Sequence, residues 1–93
     1  MKIDYTENAI EDLIRQREFI AENDPAAAAR YAETLIDGIS QLTNQPRLGH
    51  AVYYAPEPET IRDLVVGNYI VRYAILDDRI LILRIWHHRE NWK

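Results

Sequence analysis

Cysteine is missing from this chain altogether, and serine occurs once, at Ser40. The first absence removes disulfides, thiolate nucleophiles and cysteine-based zinc sites, and it agrees with a reducing compartment. The second leaves one serine hydroxyl, read as mid-helix with no sharp turn to present it as a nucleophile. Glycine is scarce too, with 3 in 93 residues, and no phosphate-cradling loop is found among them. No apolar run approaches the ~18 residues of a membrane span, and the opening MKIDYTENAIED has no apolar signal core. A cytoplasmic protein without membrane contact is expected. Positive charge is in deficit, with 11 basic against 15 acidic residues and a formal net charge of −4. Nucleic-acid-binding proteins usually neutralise several phosphates with clustered Lys and Arg, so this balance argues against RNA or DNA as the main ligand.

What is present describes an ordinary globular protein, 47% hydrophobic and 28% charged, and a single domain over 1–93 is expected. The acid is concentrated in the first forty positions, and from Arg79 onward the balance reverses, with Arg79, Arg84, Arg89 and Lys93 against Glu90. Ile3 and Tyr5 suggest a short first strand. Thr6 then suits an N-cap, with Glu7, Glu11 and Asp12 complementing the helix dipole. Ile10, Leu13, Ile14, Arg17 and Ile20 fall at helical spacing, which predicts a helix from Glu7 to about Asn23. Asp24 caps a second helix, Pro25 fits its first position and four alanines follow. Its apolar stripe (Ala28, Ala32, Leu35, Ile36, Ile39, Leu42) carries it to about Thr43. A hinge this short makes the pair an antiparallel hairpin.

Beyond the loop NQPRLGH the period becomes strand-like. AVYYA at 51–55 is a candidate strand, and TIRDLVV, YIVRYAIL and RILILRIW follow, separated by the turn pairs Gly67-Asn68 and Asp77-Asp78. The predicted class is α+β, two helices against a mainly antiparallel sheet. Two-residue turns set a register. Val66 then pairs with Tyr69, Leu64 with Val71 and Arg62 with Tyr73. In the second hairpin Leu76 pairs with Arg79, Tyr73 with Ile82, Val71 with Arg84 and Tyr69 with Trp86. That register puts Arg84 and Trp86 on the face of Val71 and Tyr73, and His87 on the other. It also pairs Asp63 with Arg72 across strands. Both faces are apolar, and two helices are too few to cover both, so a partner chain is a candidate cover.

The terminal RIWHHRENWK carries most of the candidate chemistry. Adjacent residues on a strand point to opposite faces, so His87 and His88 do not readily share a metal ion, and no metal or other cofactor is expected. Metal-independent RNA cleavage needs a base, an acid and cations for the phosphorane charge. Arg62, Arg72, His87 and His88 have the right types, as do Arg84, Arg89 and Tyr73. The competing reading is structural, with the arginines paired to acids or chain ends and the histidines closing a strand. Trp86 reads as core or half-buried, whereas Trp92 beside Arg89 has the composition of a contact hot spot.

The order Arg62, Gly67-Asn68-Tyr69, Tyr73, Asp77-Asp78 and Ile85-Trp86-His87-His88-Arg89 resembles the C-terminal half of RelE/ParE superfamily toxins of type II toxin–antitoxin systems. The Asp-Pro hinge and the Pro46–Gly49 loop extend the likeness over the whole chain. The resemblance implies a RelE/ParE-like fold and a toxin neutralised by a cognate antitoxin in a hetero-oligomer. It offers two targets, DNA gyrase for ParE-like members and messenger RNA on the ribosome for RelE-like ones. The net charge of −4, Ile70 where ribosomal members tend to carry arginine, and the Arg89–Trp92 ending favour the ParE branch. The expected contact residues for target or antitoxin are Arg84, Trp86, His88, Arg89 and Trp92. The alternatives are an endoribonuclease using Arg62, Arg72, His87 or His88, and a non-toxic relative kept as a partner-binding fold.

Overall fold

The computed structural model describes residues 1–56 and 60–89. In chain order the elements are β1 (Lys2–Tyr5), α1 (Glu7–Ala21), α2 (Pro25–Ser40), β2 (His50–Ala51), β3 (Ile61–Val66), β4 (Tyr69–Ile75) and β5 (Arg79–His87). Both helices start as their sequences dictate. The Thr6 hydroxyl accepts the Ala9 N–H at 3.1 Å, and an Asp24 carboxylate oxygen accepts the Ala27 N–H at 3.1 Å with Pro25 in the first turn. α1 stops at Ala21, short of the expected Asn23, because the amides of Asn23 and Asp24 both turn back to the Ile20 carbonyl. α2 stops at Ser40 and tightens into a 3₁₀ turn, Gln41–Thr43. Ser40 therefore ends the helix rather than lying mid-helix, and its hydroxyl donates to the Asp37 carbonyl at 2.7 Å.

One five-stranded sheet has the order β1-β5-β4-β3-β2, with β1 parallel to β5 and all other pairs antiparallel. The β3–β4 hairpin has the expected register, Val66 with Tyr69 and Arg62 with Tyr73. Its turn places Gly67 at φ 59°, and no other residue among those described has positive φ, the pattern of a type II′ turn. The strand expected at 51–55 shrinks to His50–Ala51; the Ala55 N–H bonds back to the Val52 carbonyl at 3.0 Å and curls the chain away from β3.

The β4–β5 hairpin follows expectation only as far as Tyr73 with Ile82. Next on β4, Arg72 pairs with Arg84, so Leu83 is an extra residue on β5, a β-bulge. It sits where β1 ends and α1 begins. There the Thr6 N–H donates to the Ile82 carbonyl at 3.0 Å and the Thr6 hydroxyl to the Leu83 carbonyl at 2.9 Å. The extra residue inverts the faces of everything after it. Val71 pairs with Ile85 rather than Arg84, and Tyr69 with His87 rather than Trp86. The expected faces of Arg84, Trp86 and His87 are each corrected by that one residue.

The helices cover the face of Leu64, Val71, Tyr73, Ile80, Ile82 and Ile85, and bury it against Ala9, Tyr31, Leu35, Ile39 and Leu42. The α2 stripe is inward as expected except Ile36, which is exposed. α1 is rolled further. Its buried positions are Ala9, Asp12 and Gln16, with Leu13 and Ile20 partly buried, while Ile10 and Ile14 of the expected stripe are exposed. The second sheet face is more open: Val65 is 59% exposed, and Tyr53 and Tyr54 in the following loop are exposed as well.

Candidate functional site

Past Ile82, strand β5 has no strand on its outer edge among the described residues, since β1 pairs only with Arg79–Ile82. An unsatisfied strand edge costs free energy when buried, and α1 satisfies this one with side chains. Asp12 accepts the Ile85 N–H at 2.9 Å, and Gln16, one turn on, donates to the Ile85 carbonyl at 2.9 Å. Gln16 in turn accepts from the buried Tyr31 hydroxyl of α2. This edge bonding explains why α1 turns two polar residues inward and leaves Ile10 and Ile14 outside. The same Asp12 carboxylate receives Arg84 through Nε at 2.8 Å and Nη2 at 3.1 Å, and Arg15 at 3.2 Å. Arg84 is thus held at the sheet edge by a charge-assisted bidentate pair.

Beyond this clamp, His87 meets the Tyr69 ring edge-on at 5.1 Å, and Tyr69 packs on Tyr31 at 4.8 Å. His88 lies past the strand end, where the opposite-faces argument no longer applies. Its ring stacks on His87 at 4.6 Å, and its backbone N–H and Nδ1 reach the Asn68 carbonyl at 2.9 Å and 3.2 Å. The expectation that the two imidazoles point apart is corrected by that strand end. Among the described residues no group of three or more carboxylate or imidazole ligands is placed to hold a metal. The Arg89 N–H donates to His87 Nδ1 at 3.1 Å and turns the chain, with His88 and Arg89 exposed. Trp86 is buried, on the open-face side beneath Arg72, whose guanidinium lies 5.1 Å from its ring. Trp92 falls outside the described residues.

The remaining nuclease candidates separate. Arg72 binds Asp63 through Nε and Nη2 at 2.8 and 2.9 Å, donates to the Tyr54 hydroxyl and stacks between the Tyr54 and Trp86 rings. The Asp63 carboxylate, directly hydrogen-bonded, outweighs partial burial and holds the guanidinium above its ordinary range of ionisation. Arg62, on the covered face, donates from Nε to the Gly49 carbonyl at 2.8 Å. Tyr73 completes that strut, accepting the Gly49 N–H at 2.9 Å and donating to the Pro46 carbonyl at 2.6 Å. A Cβ on Gly49 would lie 2.7 Å from the Asp63 carbonyl oxygen, so the loop seats only glycine there. Arg62 and Arg72 therefore lie on opposite faces, and His87 and His88 at the far end of the hairpin. Of the expected contact residues, Arg84 is held by Asp12 at the outer edge of β5, Trp86 is buried on the open-face side, and His88 and Arg89 are exposed past the strand end. The sequence reading missed Asp12 and Gln16, and the only signal was two polar residues at i, i+4 beside an ambiguous apolar stripe.

The chain and its fold have known counterparts. A family model described as the ParE toxin of the type II toxin–antitoxin system parDE matches residues 3–92. Toxin RelE2 of Caulobacter vibrioides is 33% identical over 87 residues, covering 89% of this chain and 90% of its own. Toxin RelE1 of the same organism is 31% identical over 77 residues, 78% of this chain and 77% of its own. Among solved structures, a chain of the chromosomal ParDE system of Pseudomonas aeruginosa superposes with a TM-score of 0.79 at 19% identity, over 94% of this chain and 95% of that one. A chain of the toxin–antitoxin complex RelBE2 from Mycobacterium tuberculosis gives 0.59 at 24% identity, over 92% and 95%. No helix among the described residues is long and apolar enough to cross a membrane. The chain belongs to the ParE toxin family, within the RelE/ParE superfamily of type II toxin–antitoxin toxins.

Proposed function

We propose that this protein arrests growth in the cytoplasm by binding DNA gyrase, and that a cognate antitoxin neutralises it in a toxin–antitoxin hetero-oligomer. The observation that supports gyrase over messenger RNA is the separation of Arg62 and Arg72 from the two histidines. Arg62 and Arg72 are bonded into opposite faces of the sheet, away from His87 and His88. A metal-independent cleavage site needs its base, acid and cations around one phosphate. The net charge of −4 supports the same choice. Contact with target or antitoxin is assigned to the cationic-aromatic end of the chain, with Arg84, Trp86, His88, Arg89 and Trp92 as candidates. An acidic antitoxin segment suits the basic stretch from Arg79 to Lys93.

A ribosome-dependent endoribonuclease is the second reading, favoured by the RelE names of the two Caulobacter relatives. Inducing the chain without an antitoxin separates the two. Filamentation, a DNA-damage response and intact transcripts are expected, along with inhibition of purified gyrase. Codon-positioned transcript cleavage by the purified chain and ribosomes overturns the gyrase reading, and normal growth supports a non-toxic member of the family.

A further inference from the structure

A cleft of about 440 Å³ opens between α1 and the end of β5, lined by Arg15, Gln16, Phe19, Tyr69, His87 and Arg89. Its walls differ in chemistry from its rim. Phe19, 70% exposed, stands on one side, and the edge-to-face pair of Tyr69 and His87 forms the other. The Gln16 side chain is buried at the base and fixed from two directions, by the Ile85 carbonyl and the Tyr31 hydroxyl. The base of the cleft is therefore held in place by bonds within the chain. At its edge are the cations Arg15, about half exposed, and Arg89, and no carboxylate lies among the described lining residues. Such a volume lies within the ~300–1,000 Å³ of ligand-binding clefts. An exposed Phe on a helix, opposite two rings, suits an apolar side chain. Two guanidiniums at the rim suit carboxylates flanking that side chain.

We infer that this cleft is an anchor site for an acidic peptide segment of a protein partner, which inserts one aromatic or large aliphatic side chain between Phe19 and the Tyr69–His87 pair while its flanking carboxylates meet Arg15 and Arg89. The inference rests on the reading above that the chain is held by an acidic partner, and it specifies where and by which side-chain pattern. Local charge complementarity selects this occupant: the wall is aromatic and the rim is cationic. Single-stranded nucleic acid would also use rings and cations, but the chain's net charge works against a polyanion bound along its surface.

The test uses the full chain and a short fluorescein-labelled peptide with one Phe between two pairs of Glu and Asp, followed by anisotropy. Binding is expected, weakened by salt. It is expected to fall about tenfold or more when the peptide Phe becomes Ala, or in the chain variants Phe19→Ala and Arg89→Glu. Tyr53→Ala, in the exposed loop between β2 and β3, leaves it unchanged. Both cleft substitutions are of exposed side chains, and circular dichroism checks that each variant is folded. Equal binding by Phe19→Ala or Arg89→Glu overturns the inference, as does equal binding of a peptide with Lys in place of its acids. So does preferential binding of single-stranded RNA with the same variant sensitivity, or self-association of the chain that Phe19→Ala abolishes while the peptide does not bind. Growth arrest by the induced wild-type chain is scored separately. Arrest without peptide binding removes the cleft and leaves the toxin reading, and binding without arrest does the reverse.

Discussion

Asp12 is the residue on which the end of β5 depends. One carboxylate accepts the Ile85 amide and two guanidiniums, those of Arg84 and Arg15. Asp12→Ala leaves a buried amide and an arginine without that acceptor, and is expected to cost about 3 kcal/mol in urea unfolding. Arg15→Ala is expected to cost under ~1 kcal/mol, because its side chain is half exposed and its bond to Asp12 is longer. Tyr73 makes a different prediction. Burial disfavours its phenolate, outweighing the Gly49 N–H and the neighbouring Arg62, and raises its ionisation above the usual 10.0. Burial shifts Tyr5 in the same direction. The folded chain then retains protons that the unfolded chain releases, so this contribution to stability is complete below about pH 10 and is lost as pH climbs through the raised values. Urea midpoints are expected to fall between about pH 9 and about pH 11, less steeply in Tyr73→Phe than in the wild type.

Two short segments decide how the elements are aimed. Gly67 at φ 59° closes the β3–β4 hairpin, and a Cβ there would meet nothing within 4 Å. Gly67→Ala therefore tests backbone strain alone, and is expected to cost about 1 kcal/mol without altering the fold, as read by thermal unfolding. The Leu83 bulge has the larger effect. Thr6 binds the backbone on both sides of it while capping α1, so the end of β1, the start of α1 and the bend of β5 are one structure. Both turn pairs and both helix starts were legible in the sequence, because a turn or a cap depends on residues within four positions of each other. The bulge was not. It arises where a strand seventy-odd residues away in sequence ends, and no residue near Leu83 signals it.

At the scale of the molecule the sheet has one sealed face and one more open one. Leu35 on α2 is 1% exposed against the sealed face, and Leu35→Ala is expected to cost ~2–5 kcal/mol. Val65→Thr on the open face should change stability by no more than ~0.5 kcal/mol, measured in the same urea titration. The asymmetry leaves Val65 and the Tyr53–Tyr54 loop accessible to a second protein. It also places the acidic helices and the basic strand end in one small body, an asymmetry that suits the acidic partner proposed above.

Composition, spacing and local chemistry were enough to determine the α+β class, both helices, the β3–β4 register and the Asp63–Arg72 pair. All of these follow from neighbouring residues or from period. Tertiary structure alone decided which way α1 faces, which face carries Arg84, Trp86 and His87, and that His87 and His88 stack. Each was set by contacts between parts of the chain far apart in sequence. A strand edge left bare by β1 had to find hydrogen-bond partners, and it found them in Asp12 and Gln16. That requirement rolled α1, while the bulge at Leu83 inverted the faces of the strand end on which the proposed contacts lie.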